Sequence, residues 1–202
     1  MHERLAHHER GLTPTLPMVL GHEAAGLVIE CGPGVDHVEA GDHVIFSFRP
    51  HRGRCRYCCS GQTVLCIGHN GSPRWRMHDG TARVKLNGNP VNQMARIGTF
   101  SDEVVCPAKQ VVKIRDDLPF THAAIIGCSV AAGIGAVIRH ARIPAGSSVL
   151  VIGCGGVGLN VVQGARLAGA QPDRLRPTRQ QARLCEGIWR DAHDHCDRRR
   201  CG

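Results

Sequence analysis

Short apolar runs separated by glycine turns dominate the chain from Met18 to about residue 118. Each run has the length and the residue types of a β-strand, and the turns contain the Gly and Pro that interrupt regular structure. Residues 68–98 are polar, so we interpret them as a long, irregular insert. The pattern predicts a small antiparallel β domain. Its predicted strands cover residues 24–30, 42–48, 100–105 and 111–114.

The pattern changes beyond residue 118. Thr121 is a suitable N-cap for a helix over residues 123–140, which are rich in alanine. The continuous apolar run Ser148–Ile152 predicts a strand buried on both faces, and a glycine turn and the helical pattern of residues 159–168 follow it. Because this order opens a βαβ unit, we predict an α/β fold overall, with the start of a doubly wound domain after the β domain.

Residues 171–202 show neither the period of 2 nor the period of 3.6 that mark strands and helices. A parallel sheet needs several strands with helices on both faces, so a single βα unit does not complete a domain. We expect this segment to be an irregular tail.

Composition and charge exclude several classes of protein. The chain has 202 residues, of which 42% are hydrophobic and 21% charged, as is ordinary for a soluble protein. The net charge of +8 suggests nucleic-acid binding, but eight arginines and five acids fall in the irregular segment 171–202, so we expect no nucleic-acid partner.

No apolar run reaches the roughly 20 residues of a membrane span, and residues 1–8 lack the apolar segment of a secretory signal. We therefore expect a cytoplasmic protein with no membrane partner.

A glycine-rich turn follows the predicted strand and precedes the predicted helix. Gly153-x-Gly155-x-x-Gly158 matches the dinucleotide fingerprint, in which phosphate lies at the helix N-terminus. The alternative is a chance cluster, because the chain has 25 glycines. Asp173 is the nearest acid at the distance of a ribose ligand, and we interpret it as a solvated loop residue. The predicted cofactor-binding residues are Gly153, Gly155, Gly156, Val157 and Gly158.

Three cysteines have the spacing of a structural zinc loop. The eleven cysteines are expected to stay reduced, so clustered thiols predict metal ligands before disulfides. Cys55, Cys58 and Cys66 would supply three of the four ligands that such sites use. Arg52 stands where the fourth is expected, and its cation would repel the metal. The alternatives are three buried thiols without metal, or a rearranged loop in which a fourth ligand comes from His51, Cys59 or His69.

Residues 21–35 carry a more specific pattern. Gly21-His22-Glu23-x2-Gly26-x5-Gly32-x2-Val35 resembles the signature of zinc-containing alcohol dehydrogenases of the medium-chain dehydrogenase/reductase superfamily. The resemblance covers roughly residues 11–170, and the long insert before Gly98 resembles the branch of classical and glutathione-dependent formaldehyde-oxidising enzymes. Further matching segments are Gly41–Val44, the cysteine loop, Gly98–Ser101, Gly127–Val130 and Gly153–Gly158.

The resemblance implies a fold and a domain arrangement. Residues 1–118 would form a GroES-like antiparallel β catalytic domain. Residues 119–170 would form a linking helix and the first βα unit of an NAD-binding Rossmann domain, and residues 171–202 the irregular tail.

The resemblance also implies a chemistry. His22, Glu23 and Cys128 would act at a catalytic zinc, while Cys55, Cys58 and Cys66 would hold a structural zinc. Zinc would act as a Lewis acid on the alcohol oxygen, and hydride would pass between an alcohol or aldehyde and NAD held at the glycine turn. The implied cofactors are Zn²⁺ and NAD, and the implied substrate is a small alcohol or aldehyde. A homo-oligomer is also compatible with the resemblance.

Two positions depart from the family pattern. The first catalytic cysteine is expected 21 positions before His22, where Met1 stands, and the proton-relay hydroxyl falls on Glu3. A catalytic zinc needs three protein ligands and an open position, so we expect this chain to be inactive although it resembles an enzyme. A non-catalytic zinc-binding remnant is the second interpretation. Zinc-free quinone reductases of the same superfamily are disfavoured by the cysteine loop and by Cys128.

A shift of the reading frame would account for the departure at Met1 and for the irregular tail, and it is a hypothesis about the gene. Read one base later, the codons ATG-CAY of Met1-His2 contain the cysteine codon TGC at the expected ligand position. With permitted codons, residues 173–193 read in that frame give a strand, an acid, a helix and a Phe-Gly-Ala-Thr segment typical of the family. Codons incompatible with this reading in the gene would exclude the hypothesis.

Overall fold

The computed structural model describes residues 16–49, 51–67 and 75–170. The chain divides into two compact units between Gly127 and Cys128. The predicted boundaries at residues 118 and 170 stay predictions. Each unit is described by itself below.

The first unit contains two three-stranded sheets. The strands are β1 (Met18–Val19), β2 (Ala25–Leu27), β3 (His43–Phe46), β4 (Val84–Leu86), β5 (Asn89–Gln93) and β6 (Val111–Lys113). One sheet has the order β1-β5-β4, with β1 parallel to β5 and β5 antiparallel to β4. The other has the order β2-β3-β6 and is antiparallel throughout.

Three of the four predicted strands are confirmed in shorter form as β2, β3 and β6. The predicted strand over residues 100–105 is wrong, since these residues form bends and irregular backbone. The hydroxyl of Ser101 donates to the carbonyl oxygens of Gly98 (3.1 Å) and Glu103 (2.9 Å). Such local hydrogen bonds offer the backbone an alternative to a strand ladder.

The interpretation of residues 68–98 as an irregular polar insert is wrong for its second half. Strands β4 and β5 form a hairpin there, and its turn is Asn87-Gly88, with φ angles of 50° and 80°. Positive φ at both central residues is typical of type I′ hairpin turns. An Asn-Gly pair between strand-like residues is the sequence signal that predicts this hairpin.

The same segment supplies the main core of the first unit. Trp75, Met94, Ala95 and Ile97 form a buried cluster, and Phe46 and other half-buried apolar side chains pack against it. The segment is therefore part of the β domain, because its apolar residues form the hydrophobic core.

A buried glutamine connects this core to the second sheet. The side-chain amide of Gln110 donates to the carbonyl oxygens of Ser47 and Ala95, both at 3.0 Å. Because an unpaired amide in a core is costly, these bonds fix the end of β3 against the buried cluster.

A helical stretch leads from the first unit into the second. It begins at Phe120 with Pro119 as the N-cap, and the Pro119 carbonyl accepts from the N–H groups of His122 and Ala123 at 3.0 Å. The predicted N-cap at Thr121 is wrong, because Thr121 lies inside the first turn. The helices are α1 (Arg56–Cys59), α2 (Phe120–Ala123), α3 (Ala131–Gly135) and α4 (Gly156–Leu167), with π-helical segments Ile126–Val130 and Ala136–Ala141.

The helical stretch Phe120–Ala141 has a mean hydropathy of 1.8 and is long and apolar enough to cross a membrane by length and composition. The expectation that no apolar run reaches the length of a membrane span does not hold for this 22-residue stretch. Core helices of soluble proteins pass the same test, so one such helix is weak evidence for a membrane.

The second unit contains the predicted βα unit in incomplete form. Of the run Ser148–Ile152, only the two end residues make isolated β-bridges. Val151 is buried, while Leu150 and Ile152 are 59% and 88% exposed. The prediction of burial on both faces is therefore wrong. Val162 of α4 packs with Val151 on one face, and nothing in the described part of the chain buries Leu150 or Ile152 on the other.

Replacing the fully buried Ile97 tests the position of the core. Ile97→Ala should lower the free energy of unfolding by about 2–5 kcal/mol, because it removes buried methyl groups and leaves a cavity. Denaturant unfolding of the purified chain measures this change. The matched control Ile29→Ala, at a side chain that is 70% exposed, should change stability by no more than about 0.5 kcal/mol. Equal effects of the two substitutions would contradict the described core.

Candidate metal centres and nucleotide-binding turn

The cysteine loop is closed by its own backbone hydrogen bonds. Cys55 is the N-cap of α1, and its carbonyl accepts from the N–H of Cys59 at 2.9 Å. A 3₁₀ turn over Thr63–Leu65 then reverses the chain, and the N–H of Cys66 donates to the Thr63 carbonyl at 3.0 Å. Two tight turns thus return Cys66 to the start of α1.

The three thiols of this loop converge on one point. The Sγ of Cys55 lies 3.5 Å from that of Cys58 and 3.9 Å from that of Cys66, and all three sulfurs lie within 4.8 Å of one another. Zinc–sulfur bonds of about 2.3 Å in a tetrahedron place sulfurs about 3.8 Å apart. The donor atoms and their spacing therefore fit a zinc ion with three thiolate ligands.

Backbone N–H groups favour the thiolate at one of these cysteines. Donation from the N–H of Cys58, and then from that of Ile67, lowers the pKa of Cys55 to about 6. Desolvation raises the pKa of the Cys58 thiol. Because the thiolate is the metal ligand, the lowered pKa favours the metal-binding form of Cys55.

The fourth corner of this site carries no side-chain ligand in the described part of the chain. The exposed Arg52 approaches only through its main chain, whose N–H donates to the Cys66 sulfur at 3.4 Å. Neither His51 nor Cys59 joins the three sulfurs. His69, the third alternative from the sequence, lies outside the described residues.

The loop that carries His22 and Glu23 is held by a close backbone approach. Gly21 has a φ of 93°, and a Cβ there would lie 2.6 Å from Thr99 Oγ1 and 2.8 Å from the Phe100 nitrogen. The N–H of Thr99 donates to the Gly21 carbonyl at 3.1 Å. No residue with a side chain fits at Gly21, so the close contact fixes the backbone position next to His22.

The ring of His22 is oriented by an aromatic neighbour. It packs edge-on against Phe48, with 4.8 Å between ring centroids. Sequence reasoning missed Phe48 as a positioning residue. The signal that points to it is alternation: Phe48 follows Phe46 by two residues, so both side chains are expected on the same face of an extended chain.

Gly127 and Cys128 lie at the junction of the two units. Gly127 is the last residue of the first unit, and a Cβ there would lie 1.9 Å from the Phe46 carbonyl oxygen. Cys128 is the first residue of the second unit and is half-buried within the π-helical segment.

The glycine turn before α4 combines a positive φ with close backbone packing. Gly153 has a φ of 88°, and a Cβ at Gly158 would lie 1.9 Å from the Gly153 carbonyl oxygen. A Cβ at Gly155 would meet nothing within 4 Å, so the backbone there is open to a ligand. Gly156 and Val157 begin the 12-residue helix, where free N–H groups favour phosphate.

Several predicted positions fall outside the described residues. These are Met1 at the expected first cysteine, Glu3 at the expected proton relay, Asp173, and the whole segment 171–202.

Comparison with known proteins identifies the family. Residues 3–116 match the alcohol dehydrogenase GroES-like domain, which is more than half of the chain. The chain belongs to the alcohol dehydrogenase family. The GroES-like fold and the zinc-type alcohol dehydrogenase resemblance predicted from the sequence are confirmed.

Two curated relatives and one solved structure illustrate this alcohol dehydrogenase similarity. The chain is 46% identical over 156 residues to S-(hydroxymethyl)glutathione dehydrogenase of Paracoccus denitrificans and to alcohol dehydrogenase class-3 of Cereibacter sphaeroides, covering 76% of this chain and 42% of each relative. An alcohol dehydrogenase zinc-binding domain protein from Burkholderia ambifaria superimposes with a TM-score of 0.81 at 27% identity, covering 93% of this chain and 51% of that one. The chain spans about two-fifths of the length of the curated relatives.

Replacing one loop thiol tests whether the cysteine loop binds metal. Cys66→Ser should lower the zinc content of the purified alcohol dehydrogenase chain by close to one ion, because two thiolates hold zinc poorly. Elemental analysis measures this content. The control Cys31→Ser keeps a donor for the Val38 carbonyl, to which the Cys31 thiol donates at 3.3 Å, and should leave zinc unchanged. Equal zinc in all three proteins would argue against the site.

Proposed function

We propose that this chain carries the zinc-dependent chemistry of its family, hydride transfer between a small alcohol or aldehyde and NAD. The observation that carries the proposal is the close backbone approach at Gly21, which fixes the loop that carries the His22 imidazole and the Glu23 carboxylate, in a family whose similar members are alcohol dehydrogenases. The names of the similar relatives support an alcohol or an S-(hydroxymethyl) adduct as the class of substrate.

His22, Glu23 and Cys128 are the proposed catalytic zinc residues. An imidazole, a carboxylate and a thiolate are all ligands that zinc accepts. His22 packs on Phe48, and Gly127, which directly precedes Cys128, lies against the backbone carbonyl of Phe46. When bound, zinc supplies Lewis acidity toward the alcohol oxygen.

The turn from Gly153 to Gly158 is the proposed NAD site. Gly155 leaves the backbone open to the pyrophosphate, and the N-terminal N–H groups of α4 would bind it. The nicotinamide would accept or give the hydride. We also propose a cytoplasmic location and no nucleic-acid partner.

A second proposal concerns this 202-residue chain by itself: it is a zinc-binding relative without turnover. Met1 stands at the position of the first catalytic cysteine, and a thioether is a poor replacement for a thiolate on zinc. This substitution favours zinc binding in the cysteine loop without catalysis.

Restoring the first thiolate tests the catalytic metal site. A variant with Met1→Cys behind an added initiator methionine should bind one more zinc ion than the parent chain, because it would complete the three-ligand set. Elemental analysis measures the gain. Combining Met1→Cys with Cys128→Ser should abolish the gain. A gain that survives the loss of Cys128, or no gain at all, would contradict the proposed ligands.

Turnover tests the second proposal. The zinc-supplemented chain should produce no NADH above the alcohol-free blank when given NAD and a primary alcohol, with an intact alcohol dehydrogenase as the positive control. Formation of NADH at about 1–1,000 s⁻¹, the usual range for enzymes, would refute the absence of catalysis.

A further inference from the structure

The cysteine loop differs from a closed structural zinc site. Structural sites are almost always four-coordinate, with all ligands supplied by protein. Here Cys55, Cys58 and Cys66 converge with sulfur separations of 3.5 and 3.9 Å, close to the edge of a zinc–thiolate tetrahedron. The three thiols therefore define one triangular face of a tetrahedron, and among the residues that the structure describes no side chain joins them at the fourth corner.

Arg52 cannot fill that corner. A guanidinium group has donors only, so it does not coordinate a metal. The Arg52 main chain instead donates its N–H to the Cys66 sulfur at 3.4 Å, which leaves its side chain exposed. In the described part of the chain, His51 and Cys59 also lie outside the group of converging donors.

Charge around the loop favours an anionic fourth ligand. Residues 43–78 contain six arginines and no acid, and Arg49, Arg52, Arg54 and Arg56 lie within seven residues of Cys55. Three thiolates and one Zn²⁺ carry a net charge of −1, and one more anion is balanced by these cations. Thiolates are favoured zinc ligands, so a thiolate is the anion that suits both the metal and its surroundings.

The open corner is accessible to a small molecule. Arg52, Gly53 and Arg54 are exposed, and Cys55 and Cys58 are only half-buried. A ligand can therefore reach a bound metal from solvent at the corner where the described part of the loop offers no side chain.

We infer that Cys55, Cys58 and Cys66 form an open three-thiolate metal site whose fourth position binds an exogenous small-molecule thiolate. The step is a ligand exchange without oxidation or reduction. The incoming thiol releases its proton to solvent, its sulfur forms the fourth bond to the metal, and a water molecule leaves. The inference needs metal in the cysteine loop but not the proposed dehydrogenase activity.

Cobalt substitution provides a direct test. The chain carrying Cys128→Ser, which removes the other proposed metal site, is loaded anaerobically with Co²⁺ and titrated with 2-mercaptoethanol. The sulfur-to-cobalt charge-transfer absorbance should rise saturably by about one-third, in proportion to the increase from three to four thiolates. Ethylene glycol, which carries hydroxyls only, should leave the spectrum unchanged.

Arg52→Cys, introduced into the chain that carries Cys128→Ser, is the variant to compare with that parent chain. Its fourth thiolate belongs to the protein, so its spectrum before titration should equal the thiol-saturated parent and should not respond to 2-mercaptoethanol. Cys59→Ser should respond like the parent, and Cys66→Ser should lose most of the charge-transfer band.

Three results would overturn the inference. The first is a parent spectrum that does not respond to the thiol. The second is an Arg52→Cys protein that responds as the parent does. The third is a parent spectrum that changes when His51→Ala or His69→Ala is introduced, because the protein would then supply the fourth ligand itself. Failure of the dehydrogenase proposal would leave all three readouts unchanged.

Discussion

Close approach of one backbone segment to another is the constraint on which the ligand-bearing parts depend. Gly21 fits only because it has no Cβ beside Thr99 and Phe100, and Gly127 fits only because it has none beside the Phe46 carbonyl. His22 directly follows the first contact and Cys128 directly follows the second. The glycines of the family pattern therefore fix the backbone positions from which His22 and Cys128 extend.

The cysteine loop reaches a similar result by hydrogen bonding. Its two tight turns return Cys66 to Cys55, and N–H donors hold the pKa of Cys55 near 6. The sulfurs converge although Arg52 stands at the expected fourth ligand position. The backbone turns of the loop therefore bring the three sulfurs together.

The sequence predicted local features well where spacing alone decides them. The convergence of Cys55, Cys58 and Cys66 followed from motif spacing. The burial of Trp75 and Ile97 could not be predicted in this way, because polar residues surround them in the sequence and their burial depends on tertiary packing. Phe100 looked like a strand residue, but the Ser101 hydroxyl bonds turned the chain there. Burial of Ile152 failed because it depends on neighbouring strands, which a local pattern does not specify.

X-ray absorption at the zinc edge tests whether the thiols of the cysteine loop bind the metal, since it identifies the atoms around zinc in the purified chain. A sulfur shell at about 2.3 Å is predicted, reflecting thiolate ligation in the cysteine loop. A first shell made only of nitrogen and oxygen, at about 2.0–2.2 Å, would show that these thiols do not bind the metal.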